Sequence, residues 1–330
     1  MTPSSGSAAS APQPGPETTA PAGVAGVAED LTGRLLTRCR FPDPADGPVV
    51  CAVSGGADSL ALLVLARAAG LSVTAVHVDH GLRPGSGAEA GVVAAAAGRF
   101  GAGFRAEQVS VPPGASLEER ARLARRAVLG PHALTGHTAD DQAETLLVNL
   151  LRGAGPAGLG AMRPGPPHPL LALRRAETVA LCRHVGLQPV SDPSNDDPRF
   201  VRNRIRHEVL PLLADVSGRD PVPLLARTAD HTRAVADDLD ALATALDPTD
   251  CRALRAAVPG VAGAALRRWL RDDQGHPPST AELARVLAVV RNEAAAAELS
   301  GGRRVSRSRG SLRLETGPGS TLGFPAAPPG

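Results

Sequence analysis

One passage limits the folds open to this chain more than any other: a short apolar strand, a glycine pair and an apolar helix in immediate succession. Residues 48–53 read PVVCAV and residues 54–59 read SGGADS; Leu60, Leu62, Leu63, Leu65 and Ala66 follow, and Gly70 closes the run. A compact apolar run bounded by a turn reads as a buried strand. The glycines let the backbone turn tightly, so the next helix begins directly above the strand end. Unpaired N–H groups and the helix dipole make that place an anion site. Ser54, Gly55, Gly56, Ala57, Asp58 and Ser59 are therefore the phosphate-binding candidates, with the two serines adding hydroxyls. Asp58 would repel a bare phosphate, which points to Mg²⁺ between it and the ligand. The lysine of a GxxxxGK[ST] loop is absent, which argues against a kinase or GTPase loop. The plain alternative is a glycine turn with Ser59 capping a helix.

The pattern repeats downstream. Residues 71–78 (LSVTAVHV) predict a second strand, 88–100 a helix and 104–111 a third strand. Ser116 and Glu119 form a capping box for a helix through about Val128. Residues 132–136 (HALTG) predict a fourth strand and 138–153 a helix closed by Gly153. Alternating strands and helices predict an α/β fold with a doubly wound parallel, Rossmann-like sheet. A Gly- and Pro-rich stretch leads to a helix over 173–186 and a polar turn over 191–198. Another helix is expected from Arg199, with Pro198 at its first position and Pro211 kinking or ending it. Residues 221–291 are helical in pattern, and 297–315 predict a hairpin turning near Gly310. The expected organisation is a disordered tail over 1–28, a catalytic domain over 29–215, a mainly helical C-terminal domain with the hairpin over 216–315, and a second tail over 316–330.

Composition narrows the chemistry. There is no lysine, so all 35 basic residues are arginines, and the formal net charge is +2. Any cation site must use the guanidinium fork, which suits phosphate and offers no amine for Schiff-base chemistry. The four cysteines are scattered without a CxxC pair, against zinc, iron–sulfur or redox sites and in keeping with a reducing cytosol. The first residues lack a signal peptide's basic and apolar regions. No apolar run is long enough for a membrane span, so a soluble protein is expected, and with the scattered thiols a cytoplasmic one.

Three further stretches concentrate polar groups. HVDHGLR (77–83) ends the second strand, the edge where open α/β sheets bind ligands. In GHTADDQAETLLVNLLRGAGPAGLGAM (136–162), His137 ends the fourth strand, and Asp140, Asp141 and Glu144 share a helix face at spacings of three and four. Acids at a helix N-terminus suit the dipole, but this cluster can also hold Mg²⁺ or an ammonium group, or act as a general base. In SDPSNDDPRFVRNRIRHEVLPLL (191–213), Val201, Ile205, Val209 and Leu212 mark an apolar stripe, with Arg199, Arg202 and Arg206 beside it. Without acidic partners at i+4, these arginines point to an anionic ligand: pyrophosphate, AMP or an RNA backbone.

SGGADS is similar to the PP-loop of the N-type ATP pyrophosphatases. All four stretches in order resemble the tRNA(Ile)-lysidine synthase family, whose pattern runs SGGxDS, DHxLR, His-x-x-Asp-Asp-Gln-x-Glu-Thr, RGxGxxGLxxM, DxSN and RNxxR. The resemblance is close over about 47–213 and looser to about 315. Thr138 and Arg126 depart from the family's residues at their positions. The resemblance implies a PP-loop ATP pyrophosphatase that adenylates the first anticodon cytidine of a CAU-anticodon isoleucine tRNA and then attaches L-lysine. It implies ATP and Mg²⁺ as cofactors and, by analogy, a homodimer. On that footing Asp141 and Glu144 are candidates to bind lysine and take its proton, and Asp58 holds Mg²⁺. Arg122 or Arg125, with Arg202 or Arg206, stabilise phosphate charge, and His137 orients the base or assists proton transfer. Arg303, Arg304, Arg307, Arg309 and Arg313 form the expected tRNA-contact strip, with Arg267, Arg268 and Arg271 nearby. An RNA thiolase, a small-molecule synthetase and an inactive RNA-binding relative are the competing readings.

Overall fold

The computed structural model describes residues 31–79, 87–109, 124–190, 196–273 and 275–316. The chain packs as two units. One comprises the residues up to Gly136 together with Gly165–Ser191; the other comprises His137–Pro164 and the residues from Asp192 onward.

The first unit is built on parallel strands β1 (Val49–Ala52), β2 (Val73–Asp79) and β3 (Gly103–Gln108), in that spatial order. Val49 lies opposite Val73, and Thr74 opposite Gly103. Helix α1 (Ala57–Ala68) joins β1 to β2, and α2 (Gly87–Arg99) joins β2 to β3. Leu60 through Ala66 of α1 are all buried, together with Cys51, Val73, Ala75, Val93 and Ala97. A helix buried on every side belongs to the interior of an α/β layer, which is what its unbroken apolar run encodes.

The expected fourth strand is reduced to one residue. Leu134 bridges Cys51 in parallel, donating to Val50 O and accepting from Ala52 N–H. Pro131 before it and Gly136 after it leave little extended chain to pair. The expected capping box at Ser116 and Glu119 lies outside the described residues; residues 124–129 are helical.

The second unit differs from the division expected at residue 215. Helix α3 (Ala139–Leu151) buries Ala139, Ala143, Leu146 and Leu147 against Ile205, Leu210, Val222 and Ala229. Its apolar face therefore belongs to the helical layer although its sequence continues the β/α alternation. After the short α4 (Pro156–Leu159), the chain re-enters the first unit for α5 (Arg175–His184), which packs on α1. It returns for α6 (Val201–Arg204), a π turn over Ile205–Val209 and α7 (Leu210–Ser217). Three long-chain elements complete the helical part: α8 (Val222–Leu242), α10 (Pro259–Trp269) and α11 (Thr280–Arg291), with α9 (Cys251–Ala256) between the first two. The expected hairpin is present as β5 (Arg303–Ser308) and β6 (Ser311–Thr316), with β4 (Ala296–Glu298) added antiparallel to β5.

The helix expected at Arg199 starts two residues later. Phe200 is its N-cap and Pro198 stands outside it. Pro211 neither kinks the chain out of the helix nor ends it: α7 runs on to Ser217, and the disturbance is absorbed in the π turn. The predicted apolar stripe is displaced accordingly. Ile205 is buried, but Val201 and Leu212 are exposed and Leu210 is buried instead.

An ionised acid fastens the hairpin to the helices. Ser279 Oγ accepts the Glu282 N–H of α11 at 3.2 Å, while Glu282 Oε2 accepts Ser279 N–H and Oε1 accepts Ser300 N–H. The Ser279 hydroxyl bond first, with the Ser300 amide behind it, lowers the Glu282 pKa from 4.5 to about 2. A depressed carboxylate pKa stabilises the fold above the unfolded value and loses that contribution as pH falls through the folded one. The stability difference between wild type and Glu282→Gln is therefore expected to be complete above pH 4.5 and to shrink as pH falls toward about 2. Urea titrations at pH 6 and pH 3.5 check this, and a difference independent of pH would contradict it.

Candidate active site

The stretch from Ser54 to Ser59 leads from β1 into the first turn of α1, as the sequence requires. Gly56 occupies the N-cap of α1 and brings no side chain to bond the helix end. The first backbone N–H groups of a helix have no intrahelical acceptor, so an uncapped start offers them to an anion. Gly55 has φ +91°, a conformation glycine adopts without strain, and its carbonyl accepts Val190 N–H. The two serines divide the work. Buried Ser59 donates to Gly56 O at 2.9 Å and accepts Ser54 N–H at 3.1 Å, so it braces the loop. Ser54 is exposed, its hydroxyl lies 3.2 Å from Ser59 Oγ, and its oxygen faces solvent as the loop's hydroxyl on the ligand side.

Gly136 sets the spacing above this loop. A Cβ at that position would stand 2.6 Å from Asp58 O and 2.8 Å from Asp58 C. Only a residue without a side chain lets the Leu134 segment pass so close to the start of α1.

Asp58 does not face phosphate unneutralised. Its carboxylate accepts Arg175 Nε at 3.2 Å and the Thr178 hydroxyl, both from α5. Arg175 places a positive charge beside the carboxylate to which the sequence reading assigned Mg²⁺. A carboxylate has about four lone-pair sites, so these two contacts leave room on Asp58 for a Mg²⁺ shared with nucleotide phosphates, the usual way that ion is held. Among the described residues no group of three or more His, Cys, Asp and Glu is placed to hold a metal ion. Arg175 and Thr178 were missed by sequence reasoning. The available signal was an arginine in the first turn of α5, against the helix dipole, which calls for an acid nearby.

A second polar cluster lies within the second unit. Thr138 is fully buried at the N-cap of α3, where its N–H and hydroxyl both donate to Asp141 Oδ2 at 2.9 Å. Glu144, one turn on, has a side chain with 0% exposure. Arg206 grips it with two parallel bonds, Nε to Oε1 at 2.7 Å and Nη2 to Oε2 at 3.0 Å. Arg202 Nε approaches Oε2 at 3.2 Å, and Arg206 Nη2 lies 3.8 Å from Asp141. Arg202 and Arg206, expected to lack acidic partners, thus have them across the helix pair rather than at i+4. Burying Glu144 is tolerable only because this fork matches its charge and lone pairs. The fork holds Arg206 rigid and leaves Nη1 without a protein partner among the described residues.

Other expected site residues fall elsewhere. Arg199 is exposed and paired with Asp197. His77 is buried with Nδ1 3.1 Å from Val53 O, so it supports the strand end. His137 is half-buried at the start of the second unit, and Arg125 is exposed. Arg122 and the His80–Arg83 part of the second stretch lie outside the described residues.

Comparison with known proteins adds to this geometry. Residues 35–213 match the family model of a PP-loop domain, and residues 250–313 match that of the TilS substrate binding domain. A tRNA(Ile)-lysidine synthase of Nocardia farcinica is 44% identical over 264 residues, covering 75% of this chain and 83% of the relative. Another, of Salinispora tropica, is 42% identical over 317 residues, covering 82% and 91%. The chain belongs to the tRNA(Ile)-lysidine synthase family. It is accordingly an ATP-using ligase built on a PP-loop domain.

Membership explains motif positions that carry no chemistry. In the family's His-to-Met stretch, Gln142 bonds the Met162 backbone in both directions at 3.0 Å, and Asn149 donates to Gly158 O at 2.8 Å. These amides fold the Gly-rich segment back on α3. The hairpin arginines do not form one strip. Arg303 is buried and donates to Leu270 O and Arg271 O. Arg304 pairs with Glu298 and stands opposite Glu315, while Arg307 faces the same side as buried Val305. Strand alternation splits them between two faces, leaving Arg304, Arg309 and Arg313 exposed. Arg268 donates to Ala243 O at the end of α8, and Arg271 to Gly275 O. Burial pushes the Cys51 thiol up to about 12 and, with Asp58 adding to it, the Cys182 thiol up to about 11. Neither supplies the thiolate that a thiolase would need.

Proposed function

We propose that this chain joins L-lysine to carbon 2 of the first anticodon cytidine in an isoleucine tRNA with a CAU anticodon, consuming ATP and releasing AMP and pyrophosphate. The observation that carries the proposal is the buried Glu144–Arg206 fork, assembled from the two stretches most particular to the family. A small-molecule synthetase with the same loop gives that fork no RNA-directed role.

The reaction has two displacements. The cytosine O2 attacks the α phosphorus of ATP, the bond to the β-phosphate oxygen breaks, and pyrophosphate leaves. The ε-amine of lysine then attacks carbon 2, and O2 departs with AMP. The N–H groups opening α1 and the Ser54 hydroxyl bind the nucleotide's phosphates. Arg206, through Nη1, and Arg202 offset charge that builds on phosphate. Glu144 serves by holding Arg206, since acting as a base would require it to give up a two-bond fork. Free lysine arrives as ammonium because its reference pKa is about 10.4. Asp141 is the group assigned to take its proton, and His137 to orient the cytosine. Mg²⁺ bound with the nucleotide would offset charge on the departing pyrophosphate, and Asp58 is the residue that would hold it. Arg304, Arg309 and Arg313 supply backbone contacts to tRNA, and the working form is a cytoplasmic homodimer.

Asp141→Asn keeps an oxygen for the Thr138 N–H but removes the base. It is expected to leave pyrophosphate release within about threefold of wild type while lowering lysine transfer by about 100-fold or more. Parallel assays of the two products check this, and lysine transfer at the wild-type rate would remove Asp141 from its role. The reading as a whole is tested by pyrophosphate release from ATP. It should require the CAU transcript and fall to background when the first anticodon base is U; release indifferent to tRNA would exclude the proposed substrate.

A further inference from the structure

In an unbroken α-helix each N–H meets the carbonyl four residues back. Leu210 donates instead to Ile205 O, five back, within the π turn over Ile205–Val209. The cause lies one residue on. Pro211 has no N–H, and in α geometry its ring would press on the carbonyl of His207, four residues before it. Widening the preceding turn by one residue removes that conflict.

The extra residue rotates the segment before it by about 100° relative to the segment after it. This sequence makes the rotation consequential, because it holds two apolar registers. Ile205, Val209, Leu212 and Val216 are spaced for a straight helix. The structure uses another set: Ile205 and Leu210 are 1% and 8% exposed with Val209 packed partly buried beside them, whereas Leu212 and Val216 are 59% and 77% exposed. Leu213 packs with Leu210 on the cluster shared with α3. With Leu210 docked there, a straight helix would carry Arg206 about 100° around the axis, away from Glu144. We infer that Pro211 is a positioning residue: by forcing the π turn it selects the register that puts the Arg206 fork on Glu144, and it acts on the reaction only through Arg206. The effect on rate rests on the role proposed above for Arg206; the effect on geometry does not.

The test is Pro211→Ala. Its crystal structure is expected to show residue 211 N–H bonded to His207 O and the Arg206–Glu144 fork broken. Lysine transfer should lose at least about tenfold in kcat, with the KM for ATP unchanged and the thermal midpoint equal or higher. A residue important only for folding would lower the midpoint and lose both kinetic terms together. Adding Leu212→Ser and Val216→Ser to Pro211→Ala takes away the apolar face of the straight register and should restore the rate. The same two serines in the proline-containing chain should leave the rate unchanged, which also serves if the alanine variant does not fold; a fall there would contradict the register assignment. An intact fork in Pro211→Ala overturns the inference. A broken fork with wild-type kcat, alongside an equally active Arg206→Ala, would leave the geometric claim standing and overturn the role of Arg206 instead.

Discussion

Arg206→Ala is expected to destabilise the protein by about 3 kcal/mol, the lower end of the cost of stranding one partner of a buried ion pair. The lower end applies because Arg202 remains 3.2 Å from the abandoned carboxylate. The order among variants is the sharper test. Glu144 has a side chain with 0% exposure, whereas that of Arg206 is 22% exposed. Removing the arginine leaves a charge that water cannot reach; Glu144→Gln leaves one that it can. Arg206→Ala should therefore cost more than Glu144→Gln, and the double variant Arg206→Met/Glu144→Met should cost less than Arg206→Ala alone. Arg206→Lys keeps the charge but not the two-bond fork, and should fall between. Urea midpoints give the order. Equal losses for the two single variants would mean that the fork is not the stabilising unit described here.

Gly136→Val is expected to lower kcat/KM for ATP by about 100-fold or more, because misplacing reacting groups by about 1 Å costs that much. The added Cβ would meet backbone, Asp58 O at 2.6 Å and Ser59 N at 3.0 Å, rather than a side chain that can swing aside. The start of α1 must then move, and with it the N–H groups that bind phosphate. The expected stability loss is smaller, about 1–3 kcal/mol for overpacking. Gly91→Ala in α2 is the matched control. Nothing lies within 4 Å of the added atom there, so it should be neutral or stabilising by about 0.5–1 kcal/mol. Equilibrium binding of a non-hydrolysable ATP analogue separates a displaced loop from a damaged fold. Unaltered binding by Gly136→Val would remove the Gly136 segment from the nucleotide site.

The strand, loop and first helix were legible because their signals are local. A β1 of apolar residues, a glycine turn and an α1 buried on all sides can be read without knowing any partner. The packing partner of α3 was not legible, since its stripe of Ala143, Leu146 and Leu147 would suit a sheet as well as a helix layer. The fourth strand was over-read for the same reason, an apolar run too short to choose its state. The arginines show the limit most clearly. Spacing on α6 and the π turn located Arg202 and Arg206, but only tertiary structure shows that Glu144 pairs with them. In the hairpin, five nearby arginines looked like one basic surface until alternation set Arg303 among buried residues and Arg304 against Glu298. Proline was recognised as a disturbance at position 211, but its resolution as a π turn depends on which residues find a core to enter. The Arg175 partner of Asp58 was not legible either, because it comes from α5, more than a hundred residues along the chain.

The central claim is the identity of the two substrates joined. Purified protein, ATP with Mg²⁺, and radiolabelled lysine should place label on an isoleucine tRNA transcript with a CAU anticodon. The same transcript with U as its first anticodon base should remain unlabelled. Label on both transcripts, or on neither while pyrophosphate is still released in the presence of the first, would contradict the account.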